Sequence, residues 1–146
     1  MTTDAAAIDL GEWAIATAEF EEGTAIFRVR TDTPSEPNAD QYTHAVVIRW
    51  EYGADENGMP DSVTKEAMDL FEDYTAPLQE SGKGFLVLVS TGLELREWVY
   101  YAKSTNEFMD AFNGLLAGKP RFPIEITFLD DPQRNYWNDV LSDLHG

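Results

Sequence analysis

At 146 residues, with 43% hydrophobic and 12% aromatic content, the chain is long enough to bury one real core and too apolar to be disordered. A balance of 27 acids against 10 bases leaves a formal charge of −17, which repels nucleic-acid phosphate and anionic lipid, since binding either requires Lys and Arg to replace counterions. The lack of cysteine removes disulfides, thiol catalysis and thiolate metal sites together and makes a reducing cytoplasm the simplest location, while the short apolar runs and the acidic opening MTTDAAAIDLGEW predict neither a membrane span nor a signal peptide.

Trp13 to Phe20 and Thr24 to Thr31 read as strands joined by the turn Glu21-Glu22-Gly23. In the second run Ala25, Phe27 and Val29 share one face, and Ile26, Arg28 and Arg30 the other. The Pro- and Asp-rich stretch 32–41 reads as an exposed loop. Thr43 to Tyr52 is the next strand, with His44, Val46, Ile48, Trp50 and Tyr52 on one face and Ala45, Val47, Arg49 and Glu51 on the other. Asp61 or Ser62 then caps a helix whose apolar positions are Val63, Ala67, Leu70, Phe71, Tyr74 and Leu78. Lys65, Glu66, Asp69, Glu72 and Asp73 fall on its outer face, and Pro77 ends or kinks it near Thr75.

Phe85 to Val89 is an unbroken apolar run, the pattern of a strand buried on both faces. Ser90-Thr91-Gly92 supplies turn chemistry before a second run, Leu95 to Ala102, so the two form a β-hairpin. Ser104-Thr105-Asn106-Glu107 matches a capping box at the head of a helix with Phe108, Ala111, Phe112 and Leu115 as its buried stripe, stopped by Gly118 before Pro120. Phe122 to Leu129 is the last strand. Asp131-Pro132 places an N-cap and an N1 proline at the start of a final helix, with Tyr136, Trp137, Val140, Leu141 and Leu144 on one face.

From Thr43 to Asp130 the order is β-α-β-β-α-β, which with two right-handed crossovers gives an α+β, ferredoxin-like sandwich with both helices on one sheet face. One domain over 1–146 is expected, with an N-terminal hairpin at 13–31, a ferredoxin-like core at 43–130 and a C-terminal helix at 132–144. The hairpin either extends the sheet at an edge or covers part of its open face.

Few residue patterns carry chemistry. His44 and His145 stand apart, and no HxxxH or HExxH spacing occurs, so no metal site is expected. Asp55 to Glu66 fails as a calcium loop, because Met59 and Pro60 stand where an oxygen ligand and Gly are needed. Ser81-Gly82-Lys83-Gly84 lacks the spacing of a phosphate loop and precedes a strand. The adjacent acids Glu72-Asp73 and Asp130-Asp131 fit a solvated helix face or an N-cap better than acid–base work. Neither a catalytic constellation nor a cofactor is expected. The aromatic set Trp50, Tyr52, Trp98, Tyr100 and Tyr101 is mostly core by its apolar neighbours, with one or two rings surfacing beside Arg49 or Arg96. Stacking of RNA bases on these rings is opposed by the net charge and by the lack of a basic-aromatic run.

Several landmarks carry a family resemblance. Gly58-Met59-Pro60, Glu72-Asp73, Thr91-Gly92 with Arg96-Glu97-Trp98-Val99-Tyr100-Tyr101, and Asp131-Pro132 with Tyr136-Trp137 resemble the bacterial family known as domain of unknown function 695. Trp13 and the Gly23 hairpin resemble its opening. That family is in turn similar to the RraB proteins, which bind and inhibit ribonuclease E. The resemblance implies a compact module working by protein contact, and it assigns no functional residues.

The leading expectation is a cytoplasmic, non-catalytic binding or regulatory module, a nuclease regulator among the options, that engages a basic protein surface through Arg49, Trp50, Glu72, Asp73, Arg96, Trp98, Tyr100 and Tyr101. The alternative is a small-ligand protein or enzyme with an aromatic and Arg-lined pocket on the sheet. A self-complementary edge making a homo-oligomer is a third. The same acidity serves solubility or salt tolerance equally well.

Overall fold

A computed structural model describes residues 2–9, 13–21, 23–31, 41–53 and 60–145. At its centre is the hairpin of β5 (Phe85–Gly92) and β6 (Leu95–Ala102), with all of Phe85 to Val89 buried. A register shift between Leu86 and Leu88 puts Leu86 and Val89 into one hydrophobic cluster and Phe85, Val87 and Leu88 into another. Because every residue in this run is apolar, alternation in the sequence does not betray the bulge. The turn is made by Leu93 and Glu94, at φ 56° and 68°, both left-handed as a tight hairpin turn requires.

Gly92, expected in that turn, closes β5 instead and serves a neighbouring strand. At φ 153°, a Cβ there would meet the Thr24 carbonyl and lie 2.6 Å from Ala25 Cα. Glycine therefore lets β3 (Gly23–Arg30) pair with β5 from Ala25 opposite Gly92 to Val29 opposite Leu88. Beyond β3 lie β2 (Trp13–Phe20) and β1 (Thr2–Asp9), so the N-terminal hairpin extends the sheet. Strand β1 was not expected. Its Asp4-Ala5-Ala6-Ala7 lacks alternation, and backbone pairing along the edge of β2 makes the strand.

On the other side of β6 stand β4 (His44–Glu51) and then β7 (Glu125–Asp130). The seven strands run β1-β2-β3-β5-β6-β4-β7, with every neighbouring pair antiparallel. β7 starts three residues later than the apolar pattern predicts. Pro123 has no amide proton to donate to a ladder, and Phe122 instead packs beside the core cluster under the helices.

Helices α1 (Ser62–Thr75) and α2 (Thr105–Leu116) cover one face, placing Met68, Phe71, Phe108 and Phe112 on Val46, Ile48, Trp50, Val89, Trp98 and Tyr100. The Asp61 carboxylate caps α1 by accepting from the Thr64 N–H at 2.7 Å, and a 3-10 segment, Ala76–Ser81, takes over where Pro77 stops it. Two expectations for α1 fail. Val63 and Leu70 are 75% and 40% exposed, and Met68 and Thr75 are buried in their place. At 100° per residue the predicted positions span only about 100° of arc, but the buried side, Met68, Phe71 and Thr75, is centred to one side of that arc and leaves Val63 and Leu70 at its outer margin. At α2, Ser104 Oγ accepts from the Glu107 N–H at 3.2 Å, while the Glu107 carboxylate pairs with Lys83.

The opposite face is covered by α3 (Asn135–His145), whose Trp137 joins Ala14, Val29, Val47, Phe85, Val99 and Tyr101. This helix begins at Asn135, later than Pro132, because Arg134 sits at φ 57° and turns the chain first. The side chains of Leu141 and Leu144, predicted for its apolar face, and that of His145 lie outside the described residues. Asp131 still does the capping at a distance. Its carboxylate accepts from the N–H groups of Asn135 (2.9 Å) and Tyr136 (3.0 Å) and from the buried Tyr101 hydroxyl (2.7 Å). The Trp137 indole donates to the Arg30 carbonyl at 2.7 Å, tying the helix to β3.

Burial pushes the Asp131 carboxyl up, but the Tyr136 N–H, the Tyr101 hydroxyl and the Asn135 N–H together hold it below its ordinary 3.8. A carboxyl depressed in the folded state stabilises fully above pH 3.8, and that stabilisation is lost as pH falls below this value toward the folded-state pKa. Asp131→Asn is expected to lower stability at pH 7 by about 1.5–3 kcal/mol, the range for hydrogen bonds to a charged group. It should also flatten the acid limb of a urea-unfolding series. An unchanged acid limb would remove Asp131 from this role.

Candidate functional site

Among the described residues a cluster of charged side chains converges on the sheet beside α1, where the N-terminal hairpin carries the sheet past the helices. Registers across β2, β3, β5 and β6 align Ile15, Arg28, Val89 and Trp98 in one row, with Ile26, Thr91 and Arg96 in the next on the same face. Glu72 reaches this face from α1. Successive residues on a helix point about 100° apart, so Glu72 turns onto the sheet while Asp73 stays exposed.

Glu72 Oε2 accepts from Arg96 Nη2 at 2.7 Å and from Trp98 Nε1 at 2.9 Å, and its Oε1 accepts from Arg28 Nη2 at 3.4 Å. Arg96 also rests its Nη1 3.6 Å from the Met68 sulfur and its guanidinium 5.4 Å from the Trp98 ring centre. Its Nε is buried with no hydrogen-bond partner. The Arg96 side chain is 11% exposed and that of Arg28 is 42% exposed. Arg30 lies 5.0 Å and Arg28 6.0 Å from the ring centre of Trp13. Burial first, and the nearby Glu72 charge in addition, push the Tyr100 hydroxyl up to about 12, so it is a neutral donor at physiological pH.

Two cavities of about 150 Å³ each meet at Arg28. The inner one is bounded by Arg28, Glu72, Thr75, Leu86, Trp98 and Tyr100. The outer is bounded by Ile15, Ile26, Arg28, Val89, Thr91 and Arg96.

The residues expected to form one surface are therefore divided. Glu72, Arg96, Trp98 and Tyr100 come together here. Trp50 is core, 4% exposed, with its ring centre 6.2 Å from Phe71 and 6.3 Å from Trp98. Arg49 is on the other face, where its Nε donates to Glu97 Oε2 at 2.8 Å while Tyr136 donates to Glu97 Oε1 at 2.8 Å. The Glu97 carboxylate holds the Arg49 guanidinium above its ordinary pKa. Tyr101 belongs to the Asp131 cap, and Asp73 to the outside of α1. Trp50, Trp98, Tyr100 and Tyr101 are all buried, so the expectation that a ring surfaces beside Arg49 or Arg96 is corrected. Arg28, Ile15 and Ile26 were missed as site residues. The alternation of Ile26, Arg28 and Arg30 was visible, but not the docking that brings their face beside Arg96.

Among the described residues no three His, Asp or Glu side chains group as a metal site requires. Glu72 lies within an arginine pair and acts as its internal counterion. Glu72→Ala leaves Arg96 and the Trp98 N–H unpartnered and is expected to cost about 3 kcal/mol. Asp73→Ala, one residue on, should stay within about 0.5 kcal/mol, as solvent-exposed changes do. Urea unfolding of both variants compares them, and equal midpoints would contradict the assignment.

No curated protein and no solved structure matches the chain. No helix among the described residues is long and apolar enough to cross a membrane. The sequence model described as a family of unknown function, DUF695, matches residues 11–142, nearly the whole chain and every element of the sheet except β1. The chain belongs to the DUF695 family.

Proposed function

We propose that this protein is a non-catalytic, cytoplasmic binding module that docks a basic protein surface on the outer face of α1. The observation that carries the reading is the stripe Val63, Glu66, Leu70 and Asp73. These positions follow helical spacing, and two large apolar side chains stand exposed between exposed acids. Asp69 widens the acidic border. A partner that fits carries Lys or Arg around a shallow apolar depression that receives Leu70 and Val63.

The charge distribution supports the same partner. Arg28, Arg49, Lys65, Lys83 and Arg96 are each ion-paired within the fold, while Glu51, Glu66, Asp73, Glu94, Asp110 and Glu125 are exposed. The net exterior is strongly negative and speeds encounter with a cationic surface. We further infer that the core is ferredoxin-like. What supports this is the element order β4-α1-β5-β6-α2-β7 together with the sheet order β5-β6-β4-β7. The resemblance to RraB-type inhibitors points toward regulation by contact, with a nuclease as one partner class.

The test is capture of partners from source-cell lysate across a salt series, using the parent chain, Leu70→Ala and the double variant Glu66→Lys/Asp73→Lys. A discrete basic partner is expected that salt releases and that both variants lose by about tenfold or more in affinity. Both substitutions are on an exposed face, so thermal unfolding should be nearly unchanged. A partner held equally by all three proteins would contradict the α1 surface. Absence of any salt-sensitive partner would contradict the reading itself.

A further inference from the structure

We propose that the cleft beside α1 is a binding site for a small organic monocarboxylate with a compact apolar or aromatic body, clamped by Arg28 and Arg96. This goes beyond the protein-docking surface and uses the other side of the same helix.

Three of the chain's six arginines, Arg28, Arg30 and Arg96, arrive on one face of the sheet in a protein of charge −17. Among the described residues Arg28 and Arg96 share one anion, Glu72, so this pair keeps a net positive charge within an acidic exterior. Glu72 does not satisfy the arginines evenly. Its Oε2 serves Arg96 and Trp98 at 2.7 and 2.9 Å, but Arg28 is held only at 3.4 Å and is 42% exposed. Arg96, which lines the outer cavity, keeps a buried Nε–H without an acceptor. A ligand carboxylate in the outer cavity bridges Arg28 and Arg96, which both line it, in the planar geometry that guanidinium favours.

The rest of the cleft selects the body and the charge of the ligand. The outer cavity presents Ile15, Ile26 and Val89, and Ile26 is 39% exposed, as expected of a wall that a ligand covers. Its volume of about 150 Å³ is the size of an apolar cavity that admits one benzene-sized ring. A phosphate dianion is disfavoured, because Glu72 already occupies the same two guanidinium groups and repels a second negative charge. The size also favours a free organic acid over the C-terminal carboxylate of a polypeptide, whose chain has to leave through the same opening.

The probe is sodium benzoate, titrated calorimetrically into the full chain and followed in parallel by tryptophan fluorescence, since Trp98 and Trp13 flank the arginines. Benzamide and inorganic phosphate are the comparators. Saturable benzoate binding is expected, at least about tenfold tighter than either comparator. Arg28→Gln should weaken it by about tenfold or more, as should Ile26→Trp, which fills the outer cavity from an exposed position. Asp73→Lys, on the far side of α1, should leave it unchanged, so this site and the docking surface fail or stand separately. The proposal is overturned by absence of saturable heat, by benzamide or phosphate binding as tightly as benzoate, or by folded Arg28→Gln and Ile26→Trp proteins that bind as the parent does.

Discussion

Strand β5 has no solvent face, and that single constraint organises the molecule. A run such as Phe85-Leu86-Val87-Leu88-Val89 is stable only where both faces are covered and both edges are paired. Helices α1 and α2 cover one face and α3 the other, while β6 and β3 take the two edges. The second edge is open to β3 because Gly92 has no side chain to obstruct Thr24 and Ala25. Strands β1, β2 and β3 are thereby added to the sheet at β5, and the arginines of β3 are delivered beside α1.

Each face of the sheet then handles its polar groups in its own way. On the α3 side the buried Tyr101 hydroxyl, the Asp131 carboxylate and the first amides of the helix satisfy one another, and Glu97 joins Arg49 to Tyr136. These networks secure the first turn of the helix. On the α1 side Glu72 serves two arginines and an indole, leaving an arginine nitrogen buried without an acceptor. Native interiors rarely leave such a donor alone, and in this the two faces of the sheet differ.

Charge acts at two ranges in this protein. At contact distance Glu72 and Glu97 hold Arg28, Arg96 and Arg49 beside the sheet, while Asp69 and Glu107 pair with Lys65 and Lys83 on the exterior. At longer range the uncompensated acids dominate, and with Val63 and Leu70 they mark the outer face of α1. The two sides of one helix thus present opposite chemistries: an acidic apolar stripe outward and an arginine clamp inward.

The residue pattern alone determined the order of the elements from Trp13 onward, the hairpin at the centre, the Ser104 cap, the α1 cap to within Asp61 or Ser62, and the aromatic core, because periodicity, turn chemistry and capping act over a few neighbouring residues. It determined family membership as well, through short motifs spread along the chain. Tertiary structure decided what depends on distant registers and rotations. Glu72 and Asp73 are adjacent in sequence, yet only packing against β6 shows that one enters the sheet and the other does not. Arg28 and Arg96 stand 68 residues apart in sequence, and only the docking of β3 on β5, permitted by Gly92, makes them neighbours. The bulge in β5, the exposure of Val63 and Leu70 and the late start of α3 belong to the same class. Each follows from the fit of one element against another, a constraint that local propensity does not contain.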